Sequence, residues 1–196
     1  TINGLNAWMI KPTQFDSAKK YPVLMYVYGG PGSQTVTNGW MGSNFFWYQM
    51  LAEKGYIIIS VDNTGTGFRG ERFKKKTYLE LGRYESDDQI EAARTIGTWK
   101  FVDAARIGIW GWSYGGFMSS TCITKGADVF KTAIAVAPVT NWRFYDNIFT
   151  ERYMQLPSEN PEGYDNNSPI NYVDKLKGKY LLIHGSADDN VHFQNS

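Results

Sequence analysis

Gly111-Trp112-Ser113-Tyr114-Gly115, followed at once by Gly116, is the stretch of this chain best suited to covalent chemistry. A serine between glycines is the arrangement of a nucleophile on a sharp strand-to-helix turn. The small neighbours let other segments close in, and the turn lifts the hydroxyl clear of the sheet. The first amides of the following helix then face any oxyanion that forms on an attacked carbonyl. The flanks fit: Arg106–Trp112 (RIGIWGW) reads as a short strand, and Tyr114–Thr124, rich in small residues, as a buried helix. A structural serine in a glycine-rich turn is the plainer alternative, and those flanking elements argue against it.

A serine nucleophile needs a base, and the base an orienting acid. In α/β-hydrolases the acid follows the serine and the histidine follows the acid. Lys179–His184 (KYLLIH) reads as a later strand and leads into Gly185-Ser186-Ala187-Asp188-Asp189, where either carboxylate fits as the acid. Only two histidines are available. His184 precedes the acid, at a strand end where it suits a hydrogen bond to nearby backbone. His192 lies four residues past Asp188, too near to return from a further strand–loop unit. The expected base therefore lies beyond Ser196. Asn190–Ser196 reads as the opening of a helix, and Thr1 is preceded by neither Met nor a signal segment. Both ends lead us to expect a piece of a larger protein.

The elements that must position these residues read as alternating strands and helices. Tyr21–Tyr28 (YPVLMYVY) is a strand ending in the turn Gly29-Gly30-Pro31-Gly32. Gly55–Asp62 (GYIIISVD) is apolar and β-branched throughout, as a strand covered on both faces must be. Asp87–Trp99 places Ile90, Ala93 and Ile96 at helical spacing, and Phe130–Ala137 is a further short strand. Thr1–Lys11 reads as an entering strand. The pattern predicts an α/β fold, a mostly parallel sheet with helices on both faces. Residues 1–196 are then one partial, C-terminally incomplete domain.

Twenty Lys plus Arg against nineteen Asp plus Glu leave a charge of +1, which argues against a nucleic-acid partner. At 42% hydrophobic residues the chain can bury a core, and no apolar run is long enough for a membrane helix. The single Cys122 excludes an internal disulfide.

Competing motifs are weaker. Gly65-Thr66-Gly67-Phe68-Arg69-Gly70 has the spacing of a dinucleotide loop, but Glu71-Arg72-Phe73-Lys74-Lys75-Lys76 follows where an apolar helix is required. A metal site from His184, Asp188, Asp189 and His192 would need a helix where Gly185 makes a loop. No metal and no cofactor is expected. Lys74–Lys76 reads as a solvated loop rather than a phosphate site. Asn166-Asn167-Ser168 is a glycosylation sequon weakened by the following Pro169. The aromatic clusters Trp40–Tyr48 and Trp142–Tyr153 suit pocket walls as well as a non-catalytic binding surface.

Gly111–Gly116 (GWSYGG), Tyr180–Phe193 (YLLIHGSADDNVHF), Asp88–Arg94 (DQIEAAR), Ala135–Val139 (AVAPV) and Thr150–Met154 (TERYM) together resemble the catalytic domain of prolyl-oligopeptidase-type serine peptidases of the dipeptidyl peptidase IV group. The resemblance runs in order from about Tyr21 to the last residue. It implies an α/β-hydrolase domain joined to a β-propeller, release of N-terminal dipeptides after proline or less well alanine, and a homodimer. Residue by residue it implies Ser113 as nucleophile, Asp188 rather than Asp189 as acid, and Tyr28 with the Tyr114 amide as oxyanion donors. It makes Asn190 a substrate-carbonyl ligand, and Tyr114, Val139, Trp142, Tyr145, Phe149 and Val191 the proline pocket. Phe149 stands where the group carries tyrosine, and neither the triad histidine nor the propeller lies within these residues. A tripeptidyl-releasing, oligopeptidase or acylaminoacyl peptidase relative, and a non-catalytic interaction domain of the same family, are the alternatives. Retention of Ser113, Asp188 and Tyr28 together speaks against the last. The absence of family-like disulfide cysteines points to a bacterial source, in the periplasm or at the cell surface.

Overall fold

The apolar run at residues 55–62 forms strand β3 (Ile57–Val61), in which all five residues are buried. Both alternating sets of side chains need a dry neighbour, so such a strand belongs in the middle of covered structure. In the computed structural model, which describes residues 1–196, five further strands complete the sheet. They are β1 (Ala7–Ile10), β2 (Tyr21–Tyr26), β4 (Val102–Trp112), β5 (Thr132–Val136) and β6 (Lys179–Ile183), in the order β1-β3-β2-β4-β5-β6. Only β1 runs antiparallel to its neighbour; the other pairs are parallel.

Helices cover both faces. Successive residues of a strand point to opposite sides, and β2 shows where each goes. Val23 and Met25 join the apolar cluster that contains Ile90, Ile96, Phe117 and Ile123. These last four belong to α3 (Arg83–Gly97) and α4 (Tyr114–Lys125). Tyr26 instead meets the Tyr48 ring at 5.9 Å and the Trp110 ring at 5.0 Å. Tyr48 is a buried residue of α1 (Ser43–Glu53). The remaining helices are short: α2 (Glu71–Lys75), α5 (Asn147–Met154) and α6 (Pro161–Asn166).

The strand order also locates the cleft. From β2 the chain steps outward to β3, then returns to the other side of β2 for β4. In an open parallel sheet, ligands bind beyond the C-terminal strand ends at such a reversal. The residues that leave those ends are Tyr28, after β2, and Ser113, after β4.

The structure corrects some element boundaries. Helix α3 starts at Arg83, four residues before the expected Asp87, because Gly82 at φ 99 makes the entry turn. Residues 71–75, read as loop, coil into α2, yet bury no residue. The helix opening expected over Asn190–Ser196 is a single 3-10 turn, Phe193–Asn195.

Candidate active site

Ser113 sits between β4 and α4 at φ 58 and ψ −117, a left-handed conformation that costs a non-glycine residue about 1–3 kcal/mol. Packing holds it there. Ser113 N–H donates to Val136 O at 2.9 Å, and Phe117 N–H donates back to Ser113 O at 3.0 Å. The glycines allow the close approach: a Cβ on Gly111 would stand 2.3 Å, and one on Gly115 2.2 Å, from the Val27 carbonyl oxygen. The end of β2 is thus pressed directly against the turn. Tyr114 N–H is the first amide of α4 and has no acceptor one turn back in the helix.

Tyr28 shares this junction. A Cβ on Gly115 would lie 3.2 Å from Tyr28 Cα, and the Tyr28 and Tyr114 rings are 6.1 Å apart. Tyr28 is 37% exposed, and burial of the rest pushes its phenol pKa up, so it stays a neutral donor at ordinary pH.

From Tyr114 a chain of rings runs outward. Trp142 lies 5.5 Å from Tyr114, Phe149 stacks on Trp142 at 5.9 Å, and Tyr145 meets both edge-on at 6.2 and 5.5 Å. Val139 and Val191 belong to the same buried apolar cluster. Edge-on and offset contacts of this kind make a rigid apolar wall. Its far end is polar, since Tyr145 Oη donates to Asn190 Oδ1 at 2.9 Å. That bond occupies the amide's acceptor and leaves its Nδ2 free to donate to a carbonyl.

Asp188 lies in the loop after β6. Its Oδ1 accepts the Asn190 and Val191 amides, each at 3.0 Å. The Asn190 amide holds its carboxyl below the ordinary aspartate range; partial burial opposes this, and the Val191 amide adds to the lowering. Asp188 Oδ2 is 3.5 Å from His184 Nε2, but that nitrogen sits closer, at 2.7 Å, to Val191 O. His184 Nδ1 is 2.6 Å from Ser196 Oγ. Both ring nitrogens are engaged with local groups, as the strand-end reading expected. His192 lies on the wall of a cleft shared with Asp146, Asp189 and Asn190. His184, Asp188, Asp189 and His192 do not gather into a metal-ligating set.

The structure thus brings Ser113, Tyr28, Tyr114, Trp142, Tyr145, Phe149, Asn190 and Asp188 into one linked constellation. Sequence reasoning missed three buried polar residues behind it. Tyr114 Oη donates to Glu85 Oε1 at 2.8 Å, and Gln89 and Asn63 lie under the turn that follows Tyr28. Burial raises the Glu85 carboxyl to about 8, an effect that its hydrogen bonds only partly offset. One signal was available: Glu85 and Gln89 lie one turn apart on the stripe that continues through Ala92, Ala93 and Ile96, where apolar residues are the rule.

Residues 43–196 match the sequence profile described as the prolyl oligopeptidase family. The chain belongs to that family. It is 48% identical over its whole length to a protein of Trichophyton verrucosum named "probable dipeptidyl-aminopeptidase B", of which it covers 22%. A protein of the same name from Arthroderma benhamiae is 50% identical over 95% of the chain, which spans 20% of it. The chain therefore spans about a fifth of the curated relatives it matches. The crystal structure of Porphyromonas gingivalis dipeptidyl peptidase 4 superposes with a TM-score of 0.94 at 52% identity, covering 97% of this chain and 27% of that one. The relatives of this family member are thus fungal and bacterial, and the six-stranded sheet has the α/β-hydrolase-like fold of that neighbour. No helix of the chain is long and apolar enough to cross a membrane.

Proposed function

We propose that the chain carries the nucleophile, acid and proline pocket of a serine dipeptidyl peptidase that removes N-terminal Xaa-Pro, and less well Xaa-Ala, dipeptides. The observation that carries this reading is Ser113 at φ 58, with Tyr28 and the first amide of α4 beside it and an aromatic wall leading away from buried Trp142. Ser113 Oγ attacks the carbonyl after proline and loses its proton to a histidine supplied from outside these residues. Asp188, kept ionised by two amides, orients that base. The Tyr28 phenol and the Tyr114 N–H hold the oxyanion. The histidine passes the proton to the leaving amine, and water hydrolyses the acyl-enzyme.

Tyr114, Val139, Trp142, Tyr145, Phe149 and Val191 suit a small, rigid, apolar ring, and Asn190 Nδ2 suits the preceding carbonyl. Residues 1–196 belong to an incomplete α/β-hydrolase domain, accompanied in the full-length protein by a propeller that limits release to dipeptides. We further assign a homodimer, located in the periplasm or at the surface of a bacterium; the lone, buried Cys122 supports a fold built without crosslinks. The test is hydrolysis of Xaa-Pro, Xaa-Ala and Xaa-Xaa-Pro amides by the full-length protein. Preference for the first is expected. Preferred release from the third, or no hydrolysis of any, overturns the reading.

A further inference from the structure

Helix α3 buries polar groups on the face it turns to the core, which is costly unless they are bound to something. Glu85 and Gln89 are both 0% exposed and stand one turn apart. Glu85 Oε1 accepts the Tyr114 hydroxyl at 2.8 Å. Gln89 Nε2 donates to Asn63 Oδ1 at 2.9 Å and to Val61 O at 2.8 Å. Asn63 Nδ2 passes the link on, donating to the carbonyl of Gly29 at 3.0 Å. Gly29, at φ 78, directly follows Tyr28, and a Cβ there would lie 2.8 Å from Asn63 Oδ1.

One helix is therefore hydrogen-bonded toward both sides of the Ser113 junction. One link ends on the ring of Tyr114, the other on the turn that carries Tyr28. Glu85 Oε2 and Gln89 Oε1 are buried without partners. An apolar pair of similar volume would avoid that loss, so packing alone does not account for the two side chains.

We propose that Glu85 and Gln89 form a positioning strut that sets the two oxyanion donors against each other. Glu85 fixes Tyr114, and Gln89, through Asn63, fixes the Tyr28–Gly29 turn. This rests on the oxyanion roles proposed above for Tyr28 and Tyr114. Neither α3 residue touches substrate. A shift of about 1 Å in such donors can cost roughly 100-fold in rate, so a strut acts on turnover more than on binding.

The test uses the full-length protein, with active sites counted by fluorophosphonate titration of Ser113. Glu85→Met and Gln89→Met keep side-chain volume and remove the hydrogen bonds. Each is expected to lower kcat per titrated site by about 10- to 100-fold, with KM for an Xaa-Pro amide changed less than about 3-fold. Affinity for a peptide boronate, whose tetrahedral adduct occupies the oxyanion position, should weaken by the same factor. Glu85→Gln, which retains an acceptor for Tyr114, should recover most of the loss at neutral pH. Should Gln89→Met not fold, Asn63→Asp replaces it, removing the donor to Gly29 with little change of shape. Lower thermal stability with unchanged kcat per titrated site would overturn the strut and leave the proposed active site standing. A wild-type protein that neither labels at Ser113 nor cleaves would overturn the peptidase reading, and the strut with it.

Discussion

The two halves of the proposed site are built differently. The Ser113 half stands at the middle of the sheet, where backbone from β2, β5 and α4 closes on the turn and Gly111 and Gly115 have no room for a methyl group. The Asp188 half stands in the loop after β6. It is ordered by two amide bonds within its own loop, and Gly185 beside it faces open space. Their acids differ in the same way. Glu85, behind the serine, is fully buried and driven toward neutrality, whereas the half-buried Asp188 is held ionised by amides. The nucleophile and oxyanion donors need fixed geometry, so tertiary packing sets them. The acid only has to stay charged and face its base, and a short loop suffices.

The largest break in this contrast is Ser113→Ala, which should lower kcat/KM for Xaa-Pro amides by at least about 10⁴-fold in the full-length protein. Asp188→Asn should cost less, roughly 10³- to 10⁴-fold, because the nucleophile and oxyanion donors survive. Tyr28→Phe removes one donor and should lower kcat about 10²- to 10³-fold with little change in KM. Steady-state kinetics on the three variants checks this order.

Thermal or urea unfolding separates the halves by packing. Gly115→Ala drives a Cβ to 2.2 Å from the Val27 carbonyl and should cost at least about 3 kcal/mol. Gly185→Ala meets nothing within 4 Å and should change stability by no more than about 0.5 kcal/mol. Equal effects would remove the distinction.

The pH dependence is the most specific test. The Glu85 pKa is raised on folding, so its contribution is complete below the ordinary glutamate range and is lost as pH climbs to about 8. The groups around it are the Tyr114 hydroxyl, Asp88 on its own helix and Lys125 at the end of α4. The Asp188 pKa is lowered, so its contribution is present above the ordinary aspartate range and lost as pH falls through the folded value. Unfolding free energies measured against pH should therefore flatten on the alkaline side in Glu85→Gln and on the acid side in Asp188→Asn.

What could be read beforehand follows from how local the physics is. The serine turn was legible because the close approach of Val27 demands glycine at 111 and 115, right beside the serine in sequence, and β3 because a doubly covered strand must be apolar at every position. Helix α1 escaped: it buries only Tyr48 and Ala52, so no apolar stripe marks it. Helix α5 begins at an Asp146 cap inside an aromatic stretch that offered no clear period. Asp188 was found as one of two candidate carboxylates and singled out by the family resemblance. Glu85 was invisible in its role, since its partner Tyr114 lies 29 residues along the chain. Asn63 reaches Gly29 across 34. Long-range buried polar contacts leave only one trace in sequence, a polar residue on an apolar helix face.

The central claim is that Ser113 is an activated nucleophile, and intact mass after treatment of the full-length protein with a fluorophosphonate tests it most directly. The account predicts one adduct per chain, located at Ser113, absent from Ser113→Ala and retained in Gly185→Ala. An unmodified protein, or an adduct that survives Ser113→Ala, would contradict it.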